Sequence, residues 1–169
     1  KQSPRDLAQV LKSNPEHLLE LDEPELIAFY RERNYKPLWL DAKGRLNRSY
    51  DLLQTIIHAE DEGLDPSDYY LKEIKKYWDS KEPGNSIYLD LLLTAALYRY
   101  SNHVHSGRFD PRDLDVDWHI QHRPLDVPGL FADVAKKESI AQRIKELPPQ
   151  HSGYPLLKKE LRRFRDLKQ

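Results

Sequence analysis

The chain has 169 residues, 38% of them apolar and 33% charged, with 27 Lys and Arg against 28 Asp and Glu. That length suits one ordinary domain with a modest core, and the near-balance of charge leaves no global field to draw it toward nucleic acid or anionic lipid. There is no cysteine, which excludes disulfides, thiolate nucleophiles and cysteine-bound zinc together and leaves the compartment open.

Lys1 opens a charged stretch with no apolar h-region, as expected of a mature or excised fragment rather than of a secretory leader. Ser3-Pro4 is a cap and first-turn pair, followed by Leu7, Val10 and Leu11 at helical spacing. Asp22 precedes a second helix with Leu26, Ile27, Phe29 and Tyr30 on its apolar side. Pro37 then forbids a helix interior, and 35–41 is expected to be a short extended segment that puts Leu38 and Leu40 on one side and Trp39 on the other. A third helix starts near Asn47, carries Leu52, Leu53, Ile56 and Ile57 on one stripe, and stops at Gly63. Asp65-Pro66 signals a fourth through Tyr70, Ile74 and Trp78, broken by Pro83-Gly84.

The span 86–106 is apolar nearly all round, from Ile87 through Leu97, which predicts a central buried helix. Asp90 and Arg99 interrupt it before the ~18–20 uncharged residues that a bilayer span requires, so no membrane span is expected. No period holds over 107–127, a predicted long surface loop anchored by Phe109 and Trp118. Three helices close the chain, beginning near Pro128, Ser139 and Pro155. The predicted fold is therefore all-α, a single compact bundle of about seven or eight helices with Trp39, Leu92 and Trp118 as structural anchors.

None of the candidate chemistry carries a catalytic centre. His103, His105, His119 and His122 could be read as a zinc set, but in a helix an H-x-H pair points its rings ~200° apart, which favours surface or cap histidines. Asp110, Asp113, Asp115 and Asp117 lack the glycine and glutamate of a calcium loop. Glu60, Asp61 and Glu62 splay around a helix end and are expected to be solvated. The last helix carries Lys158, Lys159, Arg162, Arg163 and Arg165, a basic stripe diluted by Glu160 and Asp166. No catalytic residue, cofactor or metal ligand is assigned, and Tyr69, Tyr70, Arg162 and Arg163 are the candidates for docking or glycan contact.

Four segments in order, FYRERNYKPLWL (29–40), EGLDPSDYY (62–70), LDLLLTAALYRYSNHVHSGRFDP (89–111) and LPPQHSGYPLLKKELRRFR (147–165), resemble the N-terminal scaffold domain of the large multidomain L,D-transpeptidases of Gram-negative bacteria. The resemblance implies that 1–169 is a helical scaffold domain whose parent carries a peptidoglycan-binding module and a catalytic domain, both absent from this chain. It implies that the parent makes 3-3 cross-links in periplasmic peptidoglycan through a cysteine acyl-enzyme that carbapenems trap. Since this chain has no cysteine, no catalytic residue carries over, and its partners are the other domains of the parent and, as a further candidate, peptidoglycan itself. Two other expectations stand beside this one: a glycan- or protein-binding helical module of the cell envelope, and an unrelated helical adaptor.

Overall fold

The computed structural model describes residues 4–13, 24–82, 84–109, 123–136 and 139–167. Among these lie eight α-helices: α1 Pro4–Ser13, α2 Pro24–Glu32, α3 Asn47–Ile57, α4 Leu71–Trp78, α5 Asn85–Ser106, α6 Val127–Lys136, α7 Ala141–Lys145 and α8 Gly153–Asp166. The all-α expectation holds. A two-residue hairpin, β1 Leu40–Asp41 with β2 Gly44–Arg45, is the only sheet among the described residues. Its turn closes because Asp41 Oδ1 accepts the N–H groups of Lys43 (2.7 Å) and Gly44 (3.1 Å), an Asx turn.

α5 is the axis of the fold. Ile87, Leu89, Leu91, Leu92, Leu93, Ala96, Leu97 and Tyr100 are all buried, as expected of a helix with no polar face. On one side it packs with Leu52 and Ile56 of α3, Ile74 of α4, and Leu130, Phe131 and Val134 of α6. On another, Ile87, Leu91 and Ala95 meet Leu7 of α1 and Leu26 and Tyr30 of α2. Leu92 lies in the first of these clusters, 5% exposed. No described helix is long and apolar enough to cross a membrane.

Asp90, which the sequence presents as an interruption of the apolar run, is the hub of the core. It is fully buried on α5, and its carboxylate accepts the N–H groups of Leu38 (3.0 Å) and Trp39 (2.8 Å) and the hydroxyl of Tyr30 (2.5 Å). One turn on, Thr94 Oγ1 accepts the Trp39 indole N–H at 2.8 Å. This geometry overturns the extended reading of 35–41. Asn34 and Tyr35 are left-handed (φ 52° and 55°), the chain bends at Leu38 and Trp39, and strand begins only at Leu40. Successive N–H groups of a strand point opposite ways, so one carboxylate can hold both only if the chain bends. Leu38 and Trp39 consequently both reach the core, each fully buried.

The predicted fourth helix is split as well. Asp65 caps a 3-10 turn, Pro66–Tyr69, by accepting the Ser67 N–H at 2.8 Å. Tyr70 then turns left-handed (φ 56°) before α4 begins. The loop expected over 107–127 is non-helical at 107–109 and 123–126, and its last residue, Val127, already opens α6. Phe109, expected to anchor it, is instead 64% exposed, and 110–122, including Trp118, lie outside the described residues.

Candidate docking surface

α8 carries the basic stripe, and its relation to the rest of the domain is unusual. None of its residues is fully buried. The half-buried positions are Gly153, Tyr154, Lys158, Leu161 and Arg165, and from Tyr154 onward their four- and three-residue spacing defines the face laid against the body. That face meets the acidic 3-10 turn Ala59–Glu62. The Tyr154 hydroxyl donates to Glu62 at 2.7 Å, and Lys158 is hydrogen-bonded to the other oxygen of the same carboxylate. Arg165 pairs with Glu60 and reaches Asp61 at 3.8 Å, and Arg162 lies 3.7 Å from Asp61. Burial, and next to it the hydrogen bond to Glu62, pushes the Tyr154 hydroxyl pKa well above its ordinary value.

The acidic cluster expected to be solvated is thus the counter-charge for α8. Only 12% of the Glu62 side chain is exposed. Gly63, left-handed at φ 76°, ends the acidic turn, and a Cβ there would sit 3.5 Å from Leu161 Cδ2. Of the two candidate arginines, Arg162 faces Asp61 with a side chain 59% exposed, and Arg163 is open to solvent, 3.5 Å from Glu160. Beside them a groove of about 810 Å³ runs between α8 and the 148–152 turn, bordered by Lys145, His151, Lys159, Arg162 and Arg163.

The candidate tyrosines sit elsewhere, in the seam between α4 and α5. Tyr69 is fully buried, edge-on to Tyr100 at 5.5 Å and hydrogen-bonded through its hydroxyl to His103 Nδ1 at 2.9 Å. Burial pushes its pKa up to about 12. A ring so enclosed presents no face to a sugar, so Tyr69 serves the core. Tyr70 is half-buried with the Arg99 guanidinium 4.8 Å over its ring. His103 is spent on Tyr69, and burial followed by the charges of Arg108 and Arg99 lowers its pKa. Among the described residues no three His, Asp or Glu side chains are grouped to hold a metal; His119, His122 and the loop aspartates lie outside them.

A second aromatic group was not legible from spacing. Arg45 projects from β2 beside Tyr50 and Trp78, its guanidinium 4.9 Å from the indole and 5.9 Å from the phenol ring, with the two rings edge-on at 5.2 Å. A third feature is an apolar cleft of about 320 Å³ between α2 and α6, floored by Phe29 and Phe131, which stack at 4.6 Å.

Comparison with known families gives one match: a family model described as a scaffold domain covers residues 24–161. No curated protein matches the chain, and no solved structure does.

Proposed function

The chain belongs to the scaffold-domain family, and from that premise we propose that it is the non-catalytic helical support of an L,D-transpeptidase that cross-links peptidoglycan. The observation that carries this reading is the coincidence of two spans. The family match over 24–161 contains three of the four ordered segments that resemble the transpeptidase scaffold, and most of the fourth.

On this reading catalysis belongs to a thiol elsewhere in the parent, since an acyl-enzyme needs a nucleophile that this sequence does not supply. The chain contributes rigidity: α5 is enclosed by the other helices, and the Asp90 cluster fixes the 38–41 bend to it. The parent works in the periplasm, where its peptidoglycan substrate lies. The partners of this domain are the catalytic and peptidoglycan-binding domains of the same polypeptide.

A second reading, in which the domain itself contacts peptidoglycan, is favoured by the basic groove beside α8, because stem peptides carry carboxylates that Lys145, Lys159 and Arg163 could meet. Titrating the chain with soluble muropeptides while following amide shifts separates the two. Shifts confined to Lys145, Lys159 and Arg163 support direct contact, and a flat response at millimolar ligand leaves support alone.

The main reading is tested in the parent. Weakening the scaffold at Trp39 should reduce formation of cross-linked dimer from disaccharide-tetrapeptide without altering the catalytic domain. Undiminished cross-linking by a parent whose scaffold has unfolded would contradict it.

A further inference from the structure

Among the described residues six large apolar side chains are markedly exposed, and four of them lie together on α8 and its C-terminal cap. These are Leu156, Leu157, Phe164 and Leu167, exposed by 65%, 70%, 67% and 76%. At 3.6 residues per turn they fall, with Glu160 among them, on one arc of about 100°. That arc points away from the Tyr154, Lys158 and Arg165 face held by the acidic turn. Lys158 and Arg165 therefore face the body, while Leu156, Leu157 and Phe164 face water. Residues 157, 160, 164 and 167 repeat in the three-four spacing of a helix-helix seam. With roughly 150–200 Å² per large side chain, the four bare on the order of 500 Å², toward the upper end of what a monomer ordinarily leaves uncovered.

We infer that this face is the interface of a homodimer in which two copies of α8 pack antiparallel. The two-fold axis runs between the two helices, level with the junction of Leu161 and Arg162. A two-fold interface must be complementary to itself, and the order of residues along α8 meets that demand. Leu156 and Leu157 at one end are brought against Phe164 and Leu167 of the second copy, and the same contact repeats at the other end. Glu160 and Arg163 lie at equal sequence distance on either side of the axis. Each carboxylate therefore meets the guanidinium of the other copy, replacing the solvent-exposed 3.5 Å pair that they make within one chain.

A parallel pairing would set Glu160 against Glu160 and Arg163 against Arg163. A lipid surface would have to take up the Glu160 carboxylate at the middle of the stripe, against anionic headgroups. The second copy is the occupant that satisfies both the leucines and the charges. At about 500 Å² per partner, about 1,000 Å² in all, the contact lies at the low end of specific interfaces, so the dimer should form reversibly with concentration.

Sedimentation equilibrium of the 169-residue chain across the micromolar range should show a mass rising from one copy to two. Phe164→Asp should hold the mass at one copy with far-UV helicity unchanged, since its ring is not part of the folded core. Glu160→Arg and Arg163→Glu should each weaken self-association about tenfold or more. The double variant should recover it, and an equal mixture of the two single variants should form a mixed dimer, since only there does each charge meet its opposite. A single-copy mass at every concentration would overturn the inference and assign the stripe to another domain. So would a dimer indifferent to Phe164→Asp, or charge variants whose mixture fails to associate.

Discussion

The Tyr30 hydroxyl donates to Asp90 at 2.5 Å across 60 positions of sequence, and both side chains are fully buried. The same carboxylate holds the backbone of Leu38 and Trp39, so α2, the 38–41 bend and α5 share one polar centre inside an apolar core. A buried carboxylate without a cation in contact is costly unless its lone pairs are taken. Here two backbone N–H groups and a hydroxyl take them.

Trp39 should be the most sensitive single position for stability. It is fully buried, and its indole N–H bonds Thr94 at 2.8 Å. Trp39→Ala removes transfer energy and leaves a cavity, at a cost of about 3–5 kcal/mol. Trp39→Phe retains most of the volume and should forfeit mainly the indole hydrogen bond, about 1–2 kcal/mol. Chemical denaturation midpoints of the two variants measure the difference, and an unchanged midpoint for Trp39→Ala would contradict the burial.

Asp90 gives a prediction with a sign. Burial raises its pKa, outweighing the lowering by its hydrogen bonds to Tyr30, Leu38 and Trp39. A carboxyl whose folded pKa exceeds its unfolded value holds a proton in the native state that the unfolded chain has released. Its contribution to stability is therefore complete below the usual carboxylate pKa and falls as pH rises through its own. Asp90→Asn should cost about 1–3 kcal/mol, because one of two backbone donors loses its acceptor. The gap between parent and variant should be widest at acid pH and narrow as pH rises. Denaturant titrations of both proteins from pH 3 upward read it directly, and a gap that widens with pH would mean that the native carboxyl is more acidic than the unfolded one.

The polar centre also marks where sequence reading stopped. α5 was legible because Ile87 to Leu97 leaves no polar face, and α3 because Leu52, Leu53 and Ile56 form a stripe, although the helix ends at Ile57 and a separate 3-10 turn, Ala59–Glu62, precedes the expected stop at Gly63. Asp90 looked like a break in the run, since an acceptor's worth depends on donors 51 and 52 residues away. The left-handed turns at Tyr35 and Tyr70 fall on residues that ordinarily avoid that conformation, so no local signal announced them. The acidic turn at 60–62 and the basic residues of α8 were each visible, but their pairing over some 100 positions was not. Tyr69 and Tyr70 were adjacent candidates for one role, and the left-handed turn at the second separates a core ring from a half-exposed one.

That pairing can be probed at Glu62, which serves both Tyr154 and Lys158. Glu62→Ala leaves a partly buried ammonium and a hydroxyl without their acceptor, at a cost of about 1–3 kcal/mol. α8 has no fully buried residue, so the loss should appear as local opening. Amide hydrogen exchange should accelerate through 154–166 while α5 stays protected. Uniform acceleration over both helices would show instead that α8 is integral to the global fold.

The central claim, that this helical domain supports catalysis performed elsewhere in its parent, is tested most directly by carbapenem acylation followed by intact-mass and peptide mass spectrometry. The full polypeptide that carries this chain should gain one stable adduct, mapped by peptides to a cysteine outside residues 1–169, while the isolated chain keeps its mass at any carbapenem concentration. An adduct on the isolated chain, or a parent that gains none, would contradict it.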